Sequence, residues 1–459
     1  MDEPEKTDVI VIGLGPGGEY AAGVLAESGL HVTGVEERLV GGECPYYGCI
    51  PSKMMIRAAN LLAETRRVPG MAGTSTATPD WSVVAHRIRE EATDCWDDKV
   101  AADRFTGKGG HLVRGRGTIT APGEVTVSTA EGVRVFRAVR GIVINCGTEP
   151  AIPPIQGLVG TPYWTNREIV QAEEAPESMI VLGGGAIGAE LAQAFARFGT
   201  AVTVVEALPR LVSFEEPEAS ELIQRVFTRE GIYVCTSAPA ERVTYTNQHF
   251  NVHVGNSTYM AERLLVATGR RTDLAALGVA KIGLDAKARV IPTDEWMRAG
   301  DGVWAIGDVT GQGAFTHMSM YQADIAVRDI LGTGGGSADY RAVPRVTFTD
   351  PEVGSVGLTE AQARAAGLRV RTGTAQVPYS ARGWIHKAGN DGFIKVIEDA
   401  DRSVLVGATS AGPYGGEVLS FLQVAVRAEV PLATLRNMPY AYPTFYRAIE
   451  DALRDLGSS

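Results

Sequence analysis

Residues 8–37 read DVIVIGLGPGGEYAAGVLAESGLHVTGVEE, and the order of their parts decides the fold. An apolar run leads into Gly13, Gly15 and Gly18 at the spacing G-x-G-x-x-G. A helix-forming stretch follows, and a second apolar run ends at Glu36. Glycine at those places permits a tight turn and lets backbone N–H groups approach a pyrophosphate at a helix N-terminus, while the acid binds a ribose hydroxyl. Residues 179–207, MIVLGGGAIGAELAQAFARFGTAVTVVEA, repeat the plan with Gly183, Gly185, Gly188 and Glu206. From first glycine to acid the interval is 23 positions in both copies. A lone glycine pattern also suits plain packing, but strand, helix and terminal acid together mark a dinucleotide site each time. Two such sites in one chain point to a flavin and a nicotinamide, one passing hydride to the other. Glu206 accepts a bond from a free ribose 2′-OH and repels a 2′-phosphate, so NADH is expected rather than NADPH. Arg210 speaks the other way, because arginine can hold that phosphate.

At 459 residues the chain suits two to four domains, and 45% hydrophobic with 21% charged residues reads as globular. A net charge of -11 argues against a nucleic-acid partner, and no apolar run is long enough to span a bilayer. The start, MDEPEKTD, lacks the basic region of a signal peptide, so a cytoplasmic address is expected. Five scattered cysteines are no disulfide framework. Two of them lie close together in GGECPYYGCIPSK (41–53): Cys44 and Cys49. A metal clamp is disfavoured because no second Cys or His pair follows at zinc spacing. A structural staple would not need the flanking glycines and lysine, which leaves a redox-active pair as the favoured reading. A metal site is expected nowhere in the chain.

That stretch resembles the redox motif G-G-T-C-x-N-x-G-C-x-P-S-K of the flavin-dependent pyridine nucleotide-disulfide oxidoreductases, the family of dihydrolipoamide dehydrogenase, glutathione reductase and mercuric reductase. Further matches are ATGRRTD (267–273), VWAIGDVTG (303–311) and RVTFTDPEVGSVGLTE (345–360). The resemblance implies two Rossmann-like domains, one for FAD and one for NAD, plus a C-terminal α+β dimerisation domain of an obligate homodimer. It implies Cys49 as the charge-transfer thiolate nearest the flavin and Cys44 as the interchange thiol facing a small-molecule substrate. Lys53 and Glu190 match the ion pair beside the flavin, and Asp308 matches the aspartate that binds the ribityl chain. The lysine's charge and a following helix N-terminus are expected to favour a nearby thiolate.

The pattern breaks at the C-terminus. Where disulfide-exchanging relatives carry H-x-H-P-T-x-x-E, this chain has YAYPTFYR (440–447), so Tyr440 and Tyr442 replace the histidines and Arg447 the glutamate. Tyrosine, with a pKa of about 10, is a poor proton acceptor at neutral pH. Loss of a positioned base costs about 10²–10⁴-fold in rate, so ordinary dihydrolipoamide oxidation is not expected. Mercuric reductases resemble the chain in having a tyrosine near that place, but their terminal cysteine pair is missing from DALRDLGSS. The 2-ketopropyl-coenzyme M oxidoreductase/carboxylase carries phenylalanine there, a partial analogy for Tyr442. Within the redox stretch Glu43 replaces threonine, and an ionised acid there would oppose thiolate formation at Cys44. Tyr46 and Tyr47 either pack internally or stack on a flat substrate.

The expected order is 1–150 for the first part of the FAD domain, 151–272 for the NAD domain, 273–337 for the second FAD part with the linker GTGGGS, and 338–459 for the dimerisation domain. A helical insert is expected around 54–105 and an antiparallel meander over 107–145. Of the histidines, only His317 stands near a flavin signature. Cys95, Cys146 and Cys235 are read as free packing thiols. The leading function is electron transfer from NADH through FAD to Cys44–Cys49 and on to a small disulfide or similar electrophile. A quinone or dye reductase that bypasses the thiols, and a flavin-bearing partner-binding protein, are the alternatives.

Overall fold

The apolar run that opens the chain becomes the strand Glu5–Ile12 inside an eight-stranded sheet. The computed structural model describes residues 3–457. Two compact units divide the chain. One holds the chain up to Pro51, His86–Ala151 and Arg270–Asp339; the other holds Ser52–Ala85, Ile152–Gly269 and the chain from Tyr340.

In the first unit the strands run in the order Arg298–Gly300, Val303–Ala305, Gly132–Ile144, Glu5–Ile12, Val32–Glu36 and His111–Arg114. All pairings among the last five are parallel. Such strands are covered on both faces, which is why VIVI and VTGVE read as continuous apolar runs; Val32–Glu36 is buried along its whole length. The meander starts later than the sequence suggests. His111–Arg114 joins the parallel sheet, with Val113 opposite Val35, because the Val113 side chain is buried in the core there. Arg116–Ala121, Glu124–Thr129 and the start of Gly132–Ile144 then form the antiparallel ribbon. Gly141, at φ 152°, lies at the register shift in the parallel pairing of that long strand with Glu5–Ile12.

The second unit contains a four-stranded parallel sheet in the order Tyr233–Cys235, Ala201–Val205, Ser178–Leu182 and Arg263–Val266. A three-stranded antiparallel ribbon, Arg242–Thr246, His249–Val254 and Ser257–Ala261, packs beside it around Val243, Phe250 and Val252. A five-stranded antiparallel sheet follows, from Pro344–Thr347 to Val404–Gly412, with the helices Gly415–Arg427 and Ala448–Asp455 on it. Ile449, Ala452 and Leu453 recur at helical spacing and are buried against that sheet. The chain therefore has two Rossmann-like βαβ regions and a C-terminal α+β region, the class read from the sequence. Residues 333–337 of the glycine linker form no regular structure, and Gly332 closes the helix Thr316–Leu331 in the left-handed conformation.

Candidate active site

In the first unit Gly13 sits at φ 88°, and a Cβ there would lie 2.4 Å from the Asn145 carbonyl oxygen. A Cβ on Gly18 would lie 2.0 Å from the Gly13 carbonyl oxygen. No side chain but hydrogen fits either place. Gly15 caps the helix Pro16–Glu27 without a side-chain cap, so the first amides of the helix remain available to an anion. Glu36 accepts the Leu14 N–H at 2.7 Å and the Arg38 N–H at 2.8 Å, which ties the loop to the strand end. Burial pushes its carboxyl up, against the pull of those two amides. An ionised carboxylate has about four acceptor sites, so room remains for a ribose hydroxyl. The loop fits a dinucleotide.

The second unit repeats this geometry. Gly183 has φ 103°, a Cβ on Gly188 would meet the Gly183 carbonyl oxygen at 2.0 Å, and Gly185 caps the helix Ala186–Arg197 with nothing within 4 Å of its Cβ position. Glu206 accepts the Gly184 N–H at 2.5 Å and the Leu208 N–H at 2.7 Å. Arg210 is engaged within its own loop through both terminal nitrogens. It donates to the Glu215 and Ser213 carbonyls and to Ser220 Oγ at 2.6–2.8 Å, so it serves as a latch of its own loop. The sequence could not show that commitment.

The redox turn belongs to the first unit. Gly41 and Gly42 have φ 104° and 69°, and a Cβ on Gly42 would lie 2.7 Å from Gly15 Cα. The glycines let the turn touch the nucleotide loop. Glu43–Tyr46 form a helical turn, and Cys49 is the first residue of the helix Cys49–Arg67, which carries Lys53 one turn on. Both cysteines are thiols. The Cys44 thiol is pushed up, first by its hydrogen bond with Cys49 and then by burial, while Thr316 pulls it down. The expected easing of ionisation by the helix start is thus outweighed at Cys44 by the bond between the two sulfurs. Cys49 Sγ lies 3.7 Å from Thr316 Oγ1.

The flanks of the turn are clasped. Asp98 accepts the Val40 N–H at 2.5 Å and a bidentate bond from Arg114, and the Trp96 indole donates to the Tyr46 carbonyl at 3.2 Å. Tyr46 is buried, the packing alternative. On the other side Arg270 reaches Glu43, donates twice to Thr148, and Thr148 donates to Asp308 at 2.8 Å. Burial raises the Asp308 carboxyl in spite of that bond.

In the second unit Lys53 Nζ donates to Glu190 Oε2 at 2.8 Å, so the pair matched by sequence is together. A partner was missed: the Phe348 N–H donates to Glu190 Oε1 at 2.8 Å, and the Phe348 ring lies 4.6 Å from Lys53 Nζ. Its place in TFTDPE gave no polar signal. Tyr440 and Tyr442 have opposite fates. Tyr440 is buried, donates to the Leu435 carbonyl at 3.0 Å, and burial pushes its hydroxyl up to about 12. Tyr442 is 71% exposed with the Arg447 guanidinium over its ring, and it lines a cavity of about 520 Å³ with Tyr379, Trp384 and Ile385. Among the described residues no group of three or more His, Cys, Asp or Glu could hold a metal. No helix among them is long and apolar enough to cross a membrane. His317 stacks on Phe315 within the first unit.

A family profile described as pyridine nucleotide-disulphide oxidoreductase matches residues 7–328, and its dimerisation domain matches residues 343–453. The chain belongs to this family. It is an oxidoreductase that uses FAD and NAD(H), and its chemistry moves electrons to a redox-active cysteine pair. The dihydrolipoyl dehydrogenase of Chlorobaculum tepidum is 32% identical over 98% of this chain and 96% of its own length. The mercuric reductase of Acidithiobacillus ferrooxidans is 30% identical over 98% of this chain and 82% of its own. Among solved structures, the Cu(II) complex of the HOCl-induced flavoprotein disulfide reductase RclA of Escherichia coli superimposes with a TM-score of 0.87. It is 26% identical, and the match covers 98% of this chain and 99% of that one.

Proposed function

We propose that the chain is a homodimeric, NADH-dependent reductase in which Cys44 meets a small disulfide or a similarly electrophilic substrate. The observation that carries this reading is the contact of the Cys44 thiol with that of Cys49, the first residue of the following helix. FAD, when bound, supplies the relay that turns a hydride from the nicotinamide into an electron pair for the cysteine pair. Gly13, Gly15, Gly18, Glu36 and Asp308 would hold FAD, and Gly183, Gly185, Gly188 and Glu206 would hold NADH. Lys53, fixed by Glu190, would place a positive charge at the flavin. The reduced pair then acts alone. The Cys44 thiolate attacks one sulfur of the substrate and expels the other as a thiolate. Cys49 next attacks Cys44, releasing the second thiol and re-forming the Cys44–Cys49 bond. Tyr442 donates a hydrogen bond in this scheme and takes no proton, so Cys44 must lose its proton to water. The match to the dimerisation domain supports the homodimer. Three further cysteines that are free thiols suit a reducing cytoplasm.

A second reading rests on the exposed aromatic group Tyr379, Trp384 and Tyr442, which suits a flat acceptor such as a quinone. Anaerobic NADH titration with a screen of disulfides, quinones and thiophilic metal ions separates the two, since relatives include a dihydrolipoyl dehydrogenase and a mercuric reductase. Cys44→Ser should abolish disulfide reduction, a loss of at least about 10³-fold. Retained disulfide turnover in that variant, or wild-type turnover of quinones alone, defeats the thiol route.

A further inference from the structure

Glu43 stands directly before Cys44, where the family motif has threonine. A carboxylate beside a thiol that must ionise works against ionisation. The fold answers that charge with another. Arg270 Nη2 lies 3.4 Å from Glu43 Oε2, and the two side chains are only 20% and 29% exposed, so water screens them incompletely. Arg270 is itself fixed, donating from Nε to Thr148 Oγ1 and from Nη2 to the Thr148 carbonyl, both at 2.6 Å. Thr148 Oγ1 donates in turn to Asp308 at 2.8 Å. One guanidinium thus serves two carboxylates on one side of the redox turn.

We propose that Glu43 and Arg270 form a matched charge couple that sets how readily the Cys44 thiol ionises. Arg270 cancels the charge that Glu43 brings to the turn, and Glu43 ties the first residue of that turn to the chain at Thr148. Both are positioning residues, acting through Cys44. The other groups gathered about the turn in this unit are Cys49, the Thr316 hydroxyl and Asp308. The Tyr46 ring has Asp98, Glu19, Arg104 and Asp97 as its charged neighbours. Of these, Asp308 also answers to the couple, since Arg270 pulls its carboxyl down and Glu43 pushes it up. The couple explains how the chain tolerates an acid at this place, and it makes two opposite predictions that a mere brace does not.

The meaning of the couple rests on the reading of Cys44 as the substrate-facing thiol, but its test does not. The FAD-loaded protein, reduced anaerobically, is alkylated with iodoacetamide across a pH series, and the adduct at Cys44 itself is followed by mass mapping. That readout is independent of turnover, so failure here and failure of the thiol route are told apart. Glu43→Gln should move the alkylation midpoint down by about one pH unit, and Arg270→Gln should move it up by a similar amount. The double variant should return close to the wild-type midpoint, and Glu43→Asp should stay there. Midpoints that shift in the same direction in both single variants, or an unmoved midpoint in Glu43→Gln, overturn the proposal. Should Arg270→Gln fail to keep its flavin, the contrast between Glu43→Gln and Glu43→Asp decides the matter alone.

Discussion

The two glycine loops share one lock and differ in what surrounds it. In each, the acid at the end of the second strand accepts one N–H from within the loop and a second two residues beyond itself, at 2.5–2.8 Å. The first loop, however, is closed in by its own unit. A Cβ on Gly17 would lie 2.2 Å from Ser319 Oγ, and one on Gly42 would lie 2.7 Å from Gly15 Cα, so a helix and the redox turn both press on it. The second loop is open at the helix start, although a Cβ on Gly184 would still meet Leu211 Cδ2 at 2.3 Å. Gly185 has nothing within 4 Å of its Cβ position, and Ile187 and Leu208 beside it are 41% and 50% exposed. On the proposed function one motif would serve two tasks: a shut cradle suits a group that stays, and an open one suits a group that comes and goes.

The sharpest way to break that contrast is to add one methyl group to each loop at the equivalent glycine. Gly18→Ala and Gly188→Ala each place a Cβ about as close to a carbonyl oxygen of their own loop as the other. Gly18→Ala should be purified with its bound flavin reduced at least about tenfold, read from the visible absorbance of the protein. Gly188→Ala should keep its flavin and show an NADH KM raised by about tenfold instead. Flavin loss of equal size in both variants would mean that the two loops do not divide the cofactors in this way.

The next contrast lies just after each acid. Beyond Glu206, Arg210 spends its donors on Ser213, Glu215 and Ser220. On the proposed function, the choice of nicotinamide would then fall to Glu206. Glu206→Ser should raise the ratio of NADPH to NADH efficiency by about tenfold or more, because a repelling charge is removed. Arg210→Ala should leave that ratio within about twofold. A fall in NADPH use in the Arg210 variant would show that the latch opens to hold the phosphate.

These comparisons mark where the sequence stopped being readable. The glycine spacing, the terminal acids and the cysteine pair are legible because each is a residue type whose chemistry needs its neighbours at fixed offsets, whereas the Lys53–Glu190 pair, distant in the chain, was legible only through the family resemblance. What was hidden are partners distant in the chain: Arg270 for Glu43, Phe348 for Glu190, and Asp98 for Val40. None leaves a periodic trace, since each contact is made by tertiary packing. Tyr440 and Tyr442 show the same limit at close range. Two positions apart, they read alike, yet one is buried in the α+β core and the other is open to water. The late start of the meander is a third case, where the burial of Val113 overrode local alternation.

The smallest effect sharpens the comparison at the exit from the first loop. Where the second loop is held by Arg210, the first is held by Asp98, which accepts the Val40 N–H and both terminal nitrogens of Arg114. Burial alone would raise the Asp98 carboxyl, but the Arg114 bond and the Val40 amide outweigh it and hold it below its ordinary value. A carboxylate lowered in the folded state adds stability that is fully present above its unfolded pKa of about 3.9 and is lost as pH falls through the folded value. Asp98→Asn should therefore lower stability at pH 7 by about 1–3 kcal/mol in urea unfolding, with the difference from wild type shrinking below about pH 4. Because Asn still accepts the Val40 N–H, the loop should keep its place and the flavin should remain bound. A stability difference that is the same at pH 7 and below pH 4 would assign the role of Asp98 to shape rather than charge, and would leave the exits of the two loops alike.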